Sequence, residues 1–123
     1  MEAKELRIGN YVNFLFHKDS GGIKKIEVFM SDIENLIHGG NRSKYYEPIP
    51  LTEEWLVKFG FELEDEKIYY HLDSYEDIYI TKTSYSFSIY NATHFTNIKQ
   101  GIKHVHQLQN LYFALTNEEL TIK

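Results

Sequence analysis

Cysteine is absent from this chain of 123 residues. That excludes a disulfide framework, a thiolate nucleophile and any Cys-ligated zinc or iron–sulfur centre. Arginine is scarce: of 13 basic residues only Arg7 and Arg42 carry a guanidinium. The guanidinium fork reads phosphate and guanine edges, so a chain poor in it, with a net charge of −5, is a poor nucleic-acid reader. No apolar run approaches the ~20 residues of a membrane span, and MEAKELRIGNYV lacks the basic, apolar, small-residue order of a secretory signal. A soluble, cytoplasmic protein is expected. Glycine pairs begin at positions 21 and 39, but neither leads into the Gly-Lys-Ser/Thr of a phosphate loop. His-Glu-x-x-His and Gly-x-Ser-x-Gly are also missing. With no such constellation the chain reads as non-enzymatic, with no cofactor and no metal.

Aromatic residues are plentiful, at 15% with ten Tyr and eight Phe, which argues for a well-filled core. The length suits one domain over residues 1–123, with residues 1–50 and 51–123 as candidate sublobes. Charge is unevenly spread. Residues 47–77 carry ten acidic groups against Lys58 and Lys67, whereas residues 78–117 carry no acid at all, only Lys82, Lys99 and Lys103.

The patterning predicts a small α+β fold. In RIGNYVNFLF, the positions Ile8, Val12, Phe14 and Phe16 share one side of an extended chain. HKDSGG has turn chemistry, and IKKIEVFM returns with Ile26, Val28 and Met30 on one face. SDIENLI, with Ile33 and Ile37, is expected to continue as a third strand, completing an N-terminal hairpin sheet of SH3-like type. TEEWLVKFGF predicts a short helix: Thr52 caps it, Leu51 and Leu56 have staple spacing, and Gly60 ends it. KIYYHL and DIYIT read as strands joined by an acidic loop, DSYED, and SYSFSIY alternates as a half-buried strand. NATHFTNI reads as a turn with a further short strand. Val105, Leu108, Leu111, Tyr112 and Leu115 form one helical stripe, which predicts a longer closing helix over 104–116. Asn117 suits its left-handed end. His104 and His106, two apart, point about 200° from one another on a helix, so they cannot grip one ion there. Extended, they would share a face yet still need a third ligand.

Two surfaces stand out as binding candidates. The first is the acidic, tyrosine-bearing stretch, from which Glu64, Asp65, Tyr70, Tyr75, Glu76 and Asp77 are taken as partner-binding residues. Tyrosine is enriched at interfaces, and negative charge steers toward a basic partner. The ordinary alternative is a solvated face with tyrosines packed beneath it. The second is the acid-free surface with Lys82, Lys99 and Lys103, which would serve a nucleic-acid-associated accessory module; three lysines give little affinity. A metal-dependent hydrolase built on the carboxylates would require a bound divalent ion.

Three blocks, ELRIGNYV, YYEPIPLTEEWLVKFGF and VHQLQNLYFALTNEEL, resemble a family of short proteins encoded by bacteriophages and prophages. The resemblance implies a mobile-element origin and brings no catalytic residue. Small phage proteins of this kind often bind a host protein stoichiometrically, anti-CRISPR inhibitors of RNA-guided nucleases being one class. Such a nuclease holds its guide and target in a positively charged channel, which an acidic surface complements. The expected function is therefore binding and modulation of a host protein.

Overall fold

The computed structural model describes residues 3–17, 22–38, 45–63, 69–72, 75–81, 85–91 and 94–123. The chain forms two compact units, one from Met1–Pro50 with His104–Leu120, the other from Leu51–Lys103 with Thr121–Lys123. The closing helix thus belongs with the N-terminal half. Both units are antiparallel α+β: an N-terminal hairpin sheet, a short middle helix and a longer closing helix are all present.

In the first unit a 3-10 turn, Ala3–Glu5, precedes strands β1 (Tyr11–His17) and β2 (Gly22–Glu27), helix α1 (Met30–His38), β3 (Tyr46–Glu47) and helix α3 (Val105–Thr116). The sheet order is β2-β1-β3. Its core is Leu6, Val12, Val28 and Tyr46, with Phe14, Ile26, Ile33 and Leu36 packed against it. Two expectations are corrected here. SDIENLI is helix, not strand: Ile33 and Ile37, four apart, fit both periods, but Leu36 between them fits only the helical one. The third strand is β3, from the extended YEPIPL segment, lying against Asn13 and Phe14. Ile8 is also not on the buried strand face but 49% exposed. It precedes a turn in which Gly9 has φ +97°, a left-handed value that breaks the alternation.

Helix α3 is tied to that turn by its own polar residues. Gln109 is fully buried within the apolar stripe of Val105, Leu108 and Tyr112. Its Nε2 donates to the carbonyls of Gly9 (3.0 Å) and Leu120 (3.2 Å), and its Oε1 accepts from Tyr11 N (2.9 Å). Asn110 accepts from Asn10 Nδ2 at 2.9 Å and donates to Glu5 O at 2.9 Å. The buried Asn10 in turn accepts from Arg7 N at 2.7 Å. Unpaired buried polar groups are costly, so these side chains bind the helix to the 5–11 segment by satisfying backbone groups there. Asn117, at φ 60°, ends the helix in the left-handed conformation as predicted, and Leu115, expected in the stripe, is 42% exposed.

The second unit contains helix α2 (Glu53–Lys58) and strands β4 (Glu62–Leu63), β5 (Tyr69–Leu72), β6 (Tyr75–Thr81), β7 (Phe87–Asn91) and β8 (His94–Lys99) in the meander order β4-β5-β6-β7-β8. Helix α2 follows its sequence signals closely. Thr52 Oγ1 accepts from Trp55 N at 3.4 Å, and Leu51 and Leu56 are both buried. Gly60 N donates to Val57 O and Phe61 N to Leu56 O, each at 2.9 Å, a Schellman ending with Gly60 at φ +94°. Trp55, Leu56, Phe59 and Phe61 join Ile78, Ile80 and Phe87 among the buried residues. Two further corrections arise. Tyr75, Glu76 and Asp77, read as loop, are the first residues of β6, with Tyr75 paired to Leu72 of β5. Ser86 and Ser88 are buried along with Phe87, so this strand is closed on both faces rather than half-buried.

Candidate protein-binding surface

The acidic stretch is only partly within reach. Glu64 and Asp65 lie outside the described residues, as does Lys82, and Tyr75, Glu76 and Asp77 are described by backbone alone. Tyr70 is a correction: it is 3% exposed, an interior residue rather than a docking one. Burial, then a hydrogen bond to Glu53 and the charge of that carboxylate, with Tyr85 adding least, push its phenol up to about 12. It therefore stays a neutral donor at any ordinary pH. Of the lysines on the acid-free surface, Lys99 and Lys103 are exposed.

The histidine pair also differs from expectation. His104 is the N-cap of α3 with an extended backbone (φ −130°), so the helical 200° separation does not apply to it. The two rings stack, 5.8 Å between centroids and 13° from parallel. Gln107 Oε1 accepts from His104 N at 3.1 Å and closes the first turn. His106 is buried, its Nδ1 without a hydrogen-bond partner. Burial and the neighbouring His104 hold its pKa below the usual range, and Glu5 opposes them weakly. Among the described residues no three His, Cys, Asp or Glu side chains come together as a metal site.

A surface the sequence reading did not single out lies at the start of α1. The carbonyl of Phe29 accepts from Asp32 N (3.0 Å) and Ile33 N (3.3 Å), which makes Phe29 the N-cap residue. Phenylalanine has no side-chain acceptor for the open N–H groups, and Ser, Thr, Asp or Asn is the usual occupant. Asp32 substitutes in part: its Oδ2 accepts from Phe29 N at 2.9 Å, while its Oδ1 accepts from the Tyr46 hydroxyl at 2.9 Å. One carboxylate thus fixes the helix start and moors it to β3. The Phe29 ring, free of any capping role, is 59% exposed. Met30 and Ile37, seven residues or two turns apart and so on one side of the helix, are each 57% exposed. Ile33 and Leu36, on the adjoining part of the apolar arc, take the core side.

Beside this rim lies an open groove of about 820 Å³ lined by Phe14, Ile26 and Phe29 together with Lys25, Glu27, Ser31 and Asp32. An apolar floor with a few polar groups at its margin is the composition of a contact surface. The signal was present in the sequence as FM before SDIENLI; carrying the IKKIEVFM strand through to Met30 put that residue on one face with Ile26 and Val28 and hid it.

No family model, curated protein or solved structure matches the chain. Among the described residues no helix is long and apolar enough to cross a membrane.

Proposed function

We propose that this chain is a non-enzymatic protein of phage or mobile-element origin that binds a host protein and modulates it, with an RNA-guided defence nuclease as the partner class that suits it best. The observation that carries the reading is Phe29: an aromatic residue at a helix cap, where it cannot cap, exposed on the rim of an apolar groove. Local rules broken without a structural gain mark functional positions. Phe29, Met30 and Ile37 supply the buried contact, since a few apolar and aromatic anchors carry most interface energy. The acidic stretch from Glu62 to Asp77 supplies long-range attraction to a basic surface, acting on the association rate.

The test is surface plasmon resonance, for the association rate and affinity, with calorimetry for the stoichiometry, against a purified effector nuclease in its guide-loaded form. Binding at 1:1, abolished by Phe29→Ser with Ile37→Ser and slowed in high salt or by reversal of Glu64, Asp65, Glu76 and Asp77 to lysine, supports the proposal. Equal binding by wild type and both variants overturns the assignment of these surfaces. Absence of binding to the nuclease rejects that partner class.

A further inference from the structure

The exposed side of α1 has an order: apolar, acidic, apolar. Met30, Glu34 and Ile37 are all exposed and, four and seven residues apart, fall within about 60° of one another around the helix axis. Met30 and Ile37 stand about 10.5 Å apart along that axis, with Glu34 between them. Phe29 extends the row at the helix start and borders the groove. The charge around the row is mostly of one sign. Helix α1 holds Asp32 and Glu34 and no lysine or arginine. Both partners of Asp32, the Phe29 N–H and the Tyr46 hydroxyl, are uncharged, so neither offsets its negative charge. Glu27, exposed on β2, adds a third acid at the groove margin, where Lys25 is the base among the lining residues.

Resting on the reading of Phe29, Met30 and Ile37 as the anchors of a protein interface, we infer that what docks on them is a basic amphipathic helix of the partner. That helix carries two apolar residues seven apart with lysine or arginine between them. The spacing selects a helix. Laid along α1, a second helix brings residues to the contact at the same interval of about 10.5 Å, as anchors one and two turns apart do in helix recognition. Residues on one side of a strand recur at roughly 6.7 and 13 Å, and neither interval matches. The charge selects a basic helix, since a cation opposite Glu34 is attracted between two apolar contacts whereas a carboxylate there is repelled. The same rule sets aside a second copy of the chain, because α1 against α1 pairs acid with acid. It also sets aside nucleic acid, whose phosphates are negative. A large apolar side chain one turn beyond the row, at the Phe29 end, has the groove over Phe14 and Ile26 to enter.

The experiment is a heteronuclear NMR titration of the nitrogen-15-labelled full chain with an alanine-based helical peptide bearing two leucines seven residues apart and two lysines midway between them. A second peptide has glutamates in place of the lysines, and a third has the residues of the first in scrambled order. The first peptide should shift the amide signals of Met30, Ser31, Glu34 and Ile37. The glutamate peptide should bind about fivefold more weakly, and the scrambled one should leave these signals in place. Glu34→Lys should invert the preference between the lysine and glutamate peptides, and unchanged signals away from α1 establish that this variant folds. No shift at α1, equal binding of the two charged peptides, or a preference that Glu34→Lys does not invert overturns the inference. A nuclease that binds through Phe29 while the lysine peptide does not leaves the anchor surface standing and removes the helix as its occupant. Selective binding of the lysine peptide with no nuclease bound supports the helix and rejects only that partner class.

Discussion

Helices α1 and α2 are both short and both follow an extended segment, yet they answer to different demands. In α2 each local signal agrees with the packing: Thr52 caps, Gly60 terminates, and Trp55 and Leu56 are buried. In α1 the cap position holds Phe29, no residue from 30 to 37 is fully buried, and three large apolar side chains at its start and along one side face outward. The contrast separates a helix whose sequence is spent on stability from one whose apolar residues remain available. An amphipathic pattern alone does not tell which of the two a helix is, because a partner can provide the cover that the chain's own core does not.

The largest effect should come from Phe59→Ala, next to α2, where a fully buried ring is lost: about 3–5 kcal/mol of stability in urea unfolding. The matching truncation on α1, Ile37→Ala, should cost no more than about 0.5 kcal/mol. Comparable losses at the two sites would erase the distinction. Gln109→Ala should follow, at about 2–4 kcal/mol, because it orphans the Tyr11 N–H and the Gly9 and Leu120 carbonyls; a loss under 1 kcal/mol would deny α3 its role as a clamp.

Cap substitutions sharpen the contrast further. Thr52→Ala should destabilise by about 1 kcal/mol. Phe29→Ser should do the opposite, stabilising by about 0.5–1 kcal/mol in thermal unfolding while weakening partner binding, since it installs a good cap and removes an exposed ring. A Phe29→Ser protein less stable than wild type would mean that the ring contributes to packing after all. The smallest effect is expected from pH. Because burial depresses the His106 pKa below its usual 6.5, the unfolded chain takes up that proton first. Stability is complete above about pH 6.5 and is lost as pH falls from there toward the folded pKa. Melting temperatures across that window should fall less in His106→Leu than in wild type; parallel curves would locate the pH dependence elsewhere.

The clearest sequence signals were those confined to a few residues. Thr52, Gly60 and Asn117 act on backbone within four positions of themselves, so the ends of α2 and α3 were legible from spacing. The candidate surface was not. Ile33 and Ile37 fit two periodicities, and only Leu36 argued for the helix. Exposure of Phe29 depends on which side of α1 the sheet covers, a matter decided by Phe14 and Tyr46 in other strands. Tyr70 likewise shows why an acidic, tyrosine-rich run is a weak guide to an interface: composition does not say which rings turn inward.

By itself the sequence determined the class of fold, the closing helix, the capped and stapled middle helix and the absence of cysteine chemistry. These follow from local backbone preferences and from hydrophobic periodicity, which act at short range. Only the tertiary structure decided that Gln109 lies in the core, that β3 pairs with β1, that α3 joins the N-terminal unit and that Phe29 lies exposed on the rim of a groove. Each of these depends on satisfying a polar group or covering an apolar one with chain far away in sequence, and such pairings carry no local signature.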